Sequence, residues 1–528
     1  MKTPCDEAEI RSAGAAAPCL KEAQPWILAA TILGSSMAFI DSTVVNVALP
    51  ALQASFHATL VDVQWVVESY GLFLAALILA GGTLGDLFGR RLVFVIGVVI
   101  FAVASACCGF ASSIHQIIAA RSIQGVGAAL LVPGSLAIIG ASFDEKARGQ
   151  AIGTWSGFTA ITAAAGPVLG GWLIEHASWR WAFFINLPIA AAVIILSLWR
   201  IPESRGAIAG RVDWFGALLV TLGLGGVVNG LVESANLGWR NPLVVLNLIA
   251  GPLCLILFVL VEARVGSPMV PLALFSSRSF SGANLFTLFL YAAIGVFFFL
   301  FPLNLIQVQG YTATAAGAAA LPLILLMFSL SRWSGGLVAH YGPRTPLIVG
   351  SLVTGSGFAL CAVPSVGGSY WRTFLPAIVV LGLGLAITVA PLTTVVMNSV
   401  DQNRMGTASG INNAVARVAG VLAIAVFGIV MVSAFSSRLN SSLAKLSLPP
   451  GALHHIQANE IKLAGLQPPV ALDARTGSAI KASISEAFVF GFRVVMLICV
   501  ALSVASAIVA LRTMTDVVSP PQRLQSAA

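Results

Sequence analysis

The stretch WILAATILGSSMAFIDSTVVNVAL, residues 26–49, is long and apolar and contains a single ionisable residue, Asp41. A helix that crosses a bilayer needs about 20 predominantly apolar residues, so this segment is predicted to be transmembrane. A charge near the centre of such a helix costs about 2.5–3.5 kcal/mol and usually faces a bundle interior or a water-filled cavity. Asp41 is therefore predicted to lie on an ion or substrate pathway; the alternative is a structural carboxylate paired with a neighbouring helix.

The rest of the chain is likewise rich in hydrophobic residues and poor in charged ones. Of its 528 residues, 58% are hydrophobic and 9% are charged, with a mean hydropathy of +0.94. Soluble domains average about 25% charged residues. The apolar runs are long and continuous, which predicts helices rather than the short alternating strands of a β-barrel. The predicted fold class is an all-α polytopic membrane protein.

Fourteen segments have the length and composition of a membrane span. They are 26–49, 64–84, 92–111, 117–141, 150–173, 182–200, 214–232, 243–262, 280–303, 314–339, 346–363, 373–399, 407–434 and 488–511. Residues 1–25 contain no apolar segment typical of a signal peptide, so we expect the first helix to be retained.

The distribution of basic residues predicts the orientation. With a cytoplasmic N-terminus, the short inner loops hold eleven basic residues and the short outer loops only Arg180, Arg240 and Arg372, as the positive-inside rule requires. The tails, 1–25 and 512–528, are then both cytoplasmic, and the chain is a multi-pass protein of the cell (inner) membrane. The net charge of +8 follows from topology and predicts no nucleic-acid partner.

The sequence contains no recognisable motif for ATP binding, metal binding or catalysis. None of the six lysines follows a glycine, so a P-loop for ATP is absent from the sequence. The seven cysteines match neither a disulfide framework nor a zinc site. We find no nucleophile with a matching base. We therefore expect no enzyme, no metal and no cofactor, and a transporter of this kind must use an ion gradient or an ATPase partner.

Two further charged residues are predicted at the depth of Asp41. Glu68 lies in the second span and Arg121 about one turn into the fourth. All three fall in the outer half of the bilayer and are predicted to form a charge cluster that serves proton coupling and, through the two acids, substrate binding. The alternative for Glu68 is that its side chain extends to the outer interface.

A motif follows the second span, and a diverged copy lies 253 residues later. The first copy reads GTLGDLFGRR, residues 82–91. Its glycines allow two helix ends to approach closely, and its charges lie at the cytoplasmic surface. The second copy preserves Gly335, Leu337, Tyr341, Gly342 and Arg344 but has Ala339 in place of Asp86. Two copies on inner loops indicate parallel repeats, which are typical of one class of transporter.

Together these features resemble the major facilitator superfamily, in its fourteen-span drug:proton antiporter branch (EmrB/QacA-like). The resemblance covers about residues 25–515 and is carried by IDSTVVNVALP (40–50), GTLGDLFGRR (82–91), RSIQGVG (121–127), Gly157 with GPVLGG (166–171), and WRWAFFINLP (179–188). One departure is span ten, where some members carry an acid and this chain has Arg332.

The resemblance implies a domain organisation. It comprises a six-helix bundle at 26–200, two extra helices with linkers at 201–279, and a second six-helix bundle at 280–511 with a long outer loop at about 435–487.

The resemblance also implies roles for three groups of residues. The motif tied to proton coupling contains Arg121, which the predicted charge cluster joins to Asp41 and Glu68. The motif at 82–91 is assigned to the conformational switch, with Gly82, Asp86, Gly89, Arg90 and Arg91, and the antiporter motif comprises Gly157, Gly166, Pro167, Gly170 and Gly171. Gly166 and Gly170 lie on one helix face, as close helix packing requires, and Pro167 should kink that helix.

The function implied is proton-coupled export of small amphipathic, often cationic, compounds by alternating access, with the proton as coupling ion and the lipid bilayer as environment. One alternative is a narrow exporter of one metabolite, such as a self-made antibiotic. Another is a membrane sensor that kept the fold without transport. A periplasmic adaptor is compatible with the sequence but not indicated by it, and no oligomeric state is predicted.

Overall fold

The computed structural model describes residues 22–143, 145–205, 212–266, 268–367, 369–400, 405–446, 448–469 and 473–514. Most of the two predicted tails therefore lies outside the described residues. Within the described ranges the regular structure is helical, without strands. This confirms the all-α fold class.

The first part of the chain forms seven helices. They are α1 (Gln24–Phe56), α2 (Leu60–Phe88), α3 (Arg90–Phe110), α4 (Ile114–Ser142), α5 (Glu145–His176), the short α6 (Trp181–Phe184) and α7 (Asn186–Arg200). Two more helices follow, α8 (Trp214–Leu237) and α9 (Pro242–Glu262).

The remainder forms eight α-helices and several shorter helical turns. The α-helices are α10 (Arg278–Leu303), α11 (Ala313–Ala318), α12 (Leu321–Tyr341), α13 (Arg344–Cys361), α14 (Tyr370–Asn398), α15 (Met405–Leu443), α16 (Pro450–Ala458) and α17 (Ala474–Thr513). A π-helical turn, Asn304–Val308, extends α10, and a 3₁₀-helix covers Glu460–Gly465.

Thirteen helical segments among the described residues are long and apolar enough to cross a membrane. They coincide with thirteen of the fourteen predicted spans. The remaining prediction, 346–363, coincides with α13, which has 18 residues and is not among the thirteen. Its first residue is Arg344, and it carries several Gly, Ser and Thr side chains, which lower its hydropathy below that of its neighbours.

The starts of several helices are fixed by side chains that accept hydrogen bonds from free backbone N–H groups. Thr59 and Asp62 form a capping box at the start of α2, and Ser113 caps α4. Asp213 caps α8 through Gly216 N at 2.7 Å. Such caps satisfy donors that have no partner within the helix.

Helix packing divides the chain into two groups and a peripheral pair. In the first group α4 packs against α2 and α3, and α1 packs against α5. In the second, α14 packs against α12 and α13, and α10 packs against α15 and α17. The pair α8–α9 packs mainly on itself, with α8 also contacting α2 and α15. The two groups meet where α2 lies along α15 and where α5 lies along α11.

Polar contacts join the two groups at one end, which is the outer end in the predicted topology. Gln307 donates to Gln53 Oε1 at 2.7 Å, and Gln53 donates to the carbonyl of Lys462 at 3.1 Å. Thr314 donates to Glu175 at 2.6 Å. These contacts link α1 and α5 to the second group, so the structure is closed at this end.

The long outer loop predicted at about 435–487 is shorter than expected. Helix α15 continues to Leu443, and α17 already begins at Ala474. The prediction was wrong because the polar residues here occupy exposed faces of continuing helices. The opposite faces remain apolar, with Phe435, Leu439 and Leu443 buried in α15 and Ile480 and Ile484 buried in α17.

Candidate functional site

Asp41 lies in the middle of α1 and is fully buried, with an exposed fraction of 0%. Arg121 of α4 is also buried, at 1%, and its Nη1 donates to Asp41 Oδ2. The chain therefore places a carboxylate and a guanidinium, 80 positions apart, in one ion pair inside the helical bundle. Sequence depth alone predicted their proximity, and the packing of α1 against α4 explains it.

Two amides complete the coordination of the carboxylate. Gln124 donates to Asp41 Oδ1 at 2.8 Å, and Asn186 donates to the same oxygen at 3.2 Å. Asn186 also donates to Ser105 Oγ at 3.0 Å. Gln124 and Asn186 lie in the sequence motifs quoted above, but they were not singled out as site residues. Four helices, α1, α3, α4 and α7, thus contribute to one buried polar network.

Arg121 makes three contacts in addition to its ion pair with Asp41. Its Nε donates to the carbonyl of Val66 at 3.1 Å, and Nη1 also donates to Gln124 Oε1 at 2.8 Å. The guanidinium lies over the ring of Tyr70, 4.2 Å from its centroid. The carboxylate of Asp41 is therefore compensated inside the bundle by one guanidinium and two amide donors.

Glu68 is buried but lies outside this network. Its exposed fraction is 0%, and neither carboxylate oxygen has a hydrogen-bond partner. The expectation of a three-residue cluster is thus met only by Asp41 and Arg121, and the alternative that Glu68 reaches the interface is wrong. One turn away on each side, Gln64 donates to Ile424 O at 3.0 Å and Gly71 faces Val421. Glu68 therefore lies on the face of α2 that packs on α15.

The motif at 82–91 is helical rather than a loop. Helix α2 runs to Phe88, so Asp86 occupies its last turn, and Gly89 alone separates α2 from α3. Arg90 donates to Asp86 Oδ1 at 2.8 Å and to the carbonyl of Ala137 in α4 at 3.3 Å. Gly82 makes only an ordinary contact, whereas Gly81 lies against the backbone of α4, so the expected close approach occurs one residue earlier.

Gly89 is required by its backbone and by a neighbouring carboxylate. Its φ is +120°, and a Cβ there would lie 2.6 Å from Glu203 Oε1. Glu203 accepts hydrogen bonds from the backbone N–H of Arg91 at 3.0 Å and of Leu92 at 3.1 Å. Sequence reasoning missed Glu203 because it follows α7 and is far away in the chain. In the second copy, Gly342 has φ +71°, so a glycine with positive φ follows the helix in both copies.

We expect Asp86→Asn and Arg90→Ala to slow the transport cycle more than they weaken substrate binding. Both residues lie at a helix junction away from the buried network and bias the arrangement of α2, α3 and α4. Turnover should fall about tenfold, equivalent to 1.4 kcal/mol, with substrate affinity nearly unchanged. Substrate binding and initial transport rate, measured on each purified variant, check this. A large loss of affinity at normal turnover would contradict the assignment.

The glycines of the predicted antiporter motif contact two different helices. Gly166 and Gly170 face α1, where added Cβ atoms would lie 2.2 Å from Thr43 Oγ1 and 2.5 Å from Val44 Cγ1. On the other side, an added Cβ on Gly171 would lie 2.4 Å from Ala313 O in α11.

Two further contacts extend this interface. An added Cβ on Gly317 of α11 would lie 2.1 Å from the carbonyl of Pro167, and one on Gly157 would make an ordinary contact with Phe328 of α12. Helix α5 thus packs closely against the helix that carries Asp41 and also against the second helical group. A group of three or more His, Cys, Asp or Glu side chains able to hold a metal ion is not found within the described ranges.

Comparisons with known proteins agree with this architecture. A family model described as Major Facilitator Superfamily matches residues 31–424. The chain is 34% identical over 496 residues to Multidrug resistance protein Stp of Mycobacterium tuberculosis (strain CDC 1551 / Oshkosh), covering 91% of this chain and 90% of that protein. It is 33% identical over 500 residues to the Tetracenomycin C resistance and export protein of Streptomyces glaucescens, covering 93% and 92%.

A solved structure shows the same fold. A bacterial homologue of the human lysosomal transporter Spinster, in an inward-facing and unoccupied conformation, aligns with a TM-score of 0.65 at 18% identity, over 94% of this chain and 99% of that one. The apolar helices, the family match and these relatives together define a multi-pass helical membrane transporter. The chain belongs to the Major Facilitator Superfamily.

Proposed function

We propose that this chain is a proton-coupled antiporter that exports small, drug-like amphipathic compounds, with a preference for cations. The observation that carries the proposal is the fully buried Asp41, held by Arg121, Gln124 and Asn186 in the middle of a membrane helix. A carboxylate there is costly and is typical of an ion pathway. Relatives named for multidrug resistance and for antibiotic resistance and export support the substrate class.

The packing of α1 supports a route from protonation to movement of the helical groups. Asp41 lies within one turn of Thr43 and Val44, the residues that face Gly166 and Gly170 of α5. Helix α5 in turn contacts α11 of the second group. A proton on Asp41 weakens its pair with Arg121, which changes how α1 is held against α4 and α5. Release of the contact between α5 and α11 then opens the closed end.

In this proposal both termini are cytoplasmic, and the chain lies in the inner membrane with its closed end outward. The charge distribution supports the orientation. No cofactor other than the coupling proton is needed, since the energy comes from the membrane gradient. For a neutral substrate exchanged for one proton, one elementary charge moving down 100 mV supplies about 2.3 kcal/mol, which sustains roughly a fiftyfold substrate gradient.

Proteoliposomes with an imposed pH gradient test this function. We expect substrate to accumulate against its gradient without nucleotide and to be released when a protonophore collapses the pH difference. Vesicles without protein, and vesicles with protein but no gradient, are the controls. Transport that continues unchanged after the protonophore is added would exclude proton coupling.

We expect Glu68→Gln to weaken export of permanently charged cations and to spare neutral compounds. Glu68 is buried, has no hydrogen-bond partner and lies where α2 meets α15, so a cationic substrate would supply the missing counter-charge. Removing one such attraction should reduce affinity for cations about tenfold. Uptake of a quaternary ammonium dye and of a neutral antibiotic, measured in parallel, gives the comparison.

Glutamine preserves the size of the side chain, so a loss confined to cations reports on charge. Glu233→Gln provides a matched control, because Glu233 already accepts a hydrogen bond from Trp65 Nε1 at 2.8 Å. Equal loss for both kinds of compound, or no loss for either, would rule out a selectivity role for Glu68.

A second candidate function is narrow export of a single antibiotic. It is favoured by relatives named for one compound, such as the Tetracenomycin C resistance and export protein and the Methylenomycin A resistance protein of Bacillus subtilis (strain 168). Growth of efflux-deficient cells on a panel of dyes, biocides and antibiotics, with and without this protein, separates the two. Protection against one structural class alone favours the narrow exporter.

A further inference from the structure

A cavity of about 420 Å³ lies between the peripheral pair α8–α9 and the two helical groups. Its walls come from α2, α8, α9, α10, α15 and the segment between α9 and α10, and they are apolar apart from Ser281 and Asn284. Both of these donate to backbone carbonyls nearby, at 2.6 and 2.9 Å. Small-molecule sites are mostly apolar and measure about 300–1,000 Å³, so this cavity has the size and lining of a ligand site.

Two buried carboxylates lie together where α8 begins and α9 ends. Glu262 is 3% exposed and Asp213 is 9% exposed. One oxygen of each is satisfied: Val270 N donates to Glu262 Oε2 at 3.1 Å, and Gly216 N donates to Asp213 Oδ1 at 2.7 Å. The other two, Glu262 Oε1 and Asp213 Oδ2, are buried and have no hydrogen-bond partner.

These two oxygens face the same space. A Cβ placed on Gly216 would lie 2.4 Å from Asp213 Oδ2 and 3.2 Å from Glu262 Oε1. In the part of the chain that the structure describes, neither acid forms an ion pair with Lys, Arg or His. Buried carboxylates without a counter-charge are unfavourable, so the pair calls for a cation or a proton.

The acid pair adjoins the cavity. Glu262 lies one helical turn beyond Phe258 on the same face of α9, and Phe258 lines the cavity. Val270, whose backbone N–H binds Glu262, lines it as well. The two acids are not among the residues that line this apolar chamber, but they lie directly behind its wall at Phe258 and Val270. A neutral acyl chain would fill the chamber and leave the acid pair without a counter-charge, whereas a lipophilic cation would fill it and supply one.

We infer that this cavity is a second binding site, for lipophilic cations. The apolar body of the ligand occupies the chamber, and its positive charge lies on the side of the chamber next to the Asp213–Glu262 pair. The inference rests on the proposed export function, for which the site would collect compounds from the inner leaflet before they reach the seam between α2 and α15. It assigns a role to the two extra helices, α8 and α9.

Binding of radiolabelled tetraphenylphosphonium to the full chain in phosphatidylcholine nanodiscs tests the site. The measurement is made in an Asp41→Asn/Glu68→Gln background, which removes the two central acids. We expect saturable binding, weakened about tenfold by Asp213→Asn with Glu262→Gln and abolished by Val220→Trp, which fills the chamber. Asparagine and glutamine retain acceptors for Gly216 N and Val270 N, so both helix ends stay bonded.

A neutral probe and two control variants separate charge from shape. Binding of the neutral triphenylphosphine oxide should be unchanged by neutralisation of the acid pair and abolished by Val220→Trp. Glu233→Gln, an acid at the other end of α8, and Leu222→Trp, at an exposed position of α8 (54%), should leave tetraphenylphosphonium binding unchanged. Monodisperse elution of each variant shows that it is folded.

Two outcomes would overturn the inference: binding that does not saturate, as expected of partition into lipid, or saturable binding that neither the neutralised pair nor Val220→Trp alters. Failure of the proposed function is distinguishable. If wild-type protein does not transport tetraphenylphosphonium under a pH gradient, but the neutralised pair still weakens its binding and Val220→Trp still abolishes it, the binding site is supported and the export function is excluded.

Discussion

Asp41→Asn is expected to abolish uphill transport. In wild-type proteoliposomes an imposed gradient should hold a substrate ratio of roughly fiftyfold per 100 mV and charge; in the variant the ratio should fall to that of passive exchange. Asparagine cannot release or take up the coupling proton, so the cycle loses its link to the gradient. The measurement is the steady-state ratio of substrate across the membrane with the pH gradient imposed.

Asp41→Asn leaves the buried guanidinium of Arg121 without its counter-charge and should lower the stability, but the fold should survive. Arg121 retains Val66 O and Gln124 Oε1 as acceptors and the ring of Tyr70, and an asparagine oxygen can still accept from Gln124. Downhill exchange of substrate, measured on the same preparation, is the internal control and should persist. If the variant still concentrates substrate, coupling belongs elsewhere, and Glu68 is the next residue to test.

The sequence was sufficient for the fold because the membrane restricts the choices. A segment of apolar residues long enough to cross a bilayer has to satisfy its backbone internally, which only a helix does on its own. The outer connection at 435–487 was mispredicted for a related reason. The fraction of apolar residues falls where a helix leaves the bilayer, but the buried apolar residues Phe435, Leu439 and Leu443 continue along one face of α15. Their packing keeps this part of α15 helical.

The candidate site was only partly predictable. Asp41 and Arg121 stand out because ionisable residues are rare at that depth. Their amide partners do not, since Gln124 and Asn186 cost less to bury and become partners only through the packing of α1, α4 and α7. For Glu68, the sequence predicted the residue but not its contacts. Its depth was predicted, but depth does not tell which helix face points to Asp41 and which to α15.

The acid pair of the peripheral helices was beyond sequence reasoning altogether. Asp213 precedes the first helix of the α8–α9 hairpin and Glu262 ends the second, and in the sequence both appear as ordinary charges at the ends of two spans. Only the antiparallel packing of α8 on α9 brings them together at Gly216. Pairing of this kind depends on the register between two helices, which composition and spacing do not determine.

Arg121→Met is expected to destabilise the protein strongly, by about 3–5 kcal/mol, as removal of one partner from a buried ion pair generally does. Asp41 would then keep only the neutral donors Gln124 and Asn186. In the double variant Asp41→Asn/Arg121→Met the unpaired charge is gone, so much of the loss should be recovered. Thermal unfolding of the wild type, both single variants and the double variant in one lipid gives the coupling energy. If the double variant is less stable than Arg121→Met, the guanidinium acts through its packing on Tyr70 rather than through its charge.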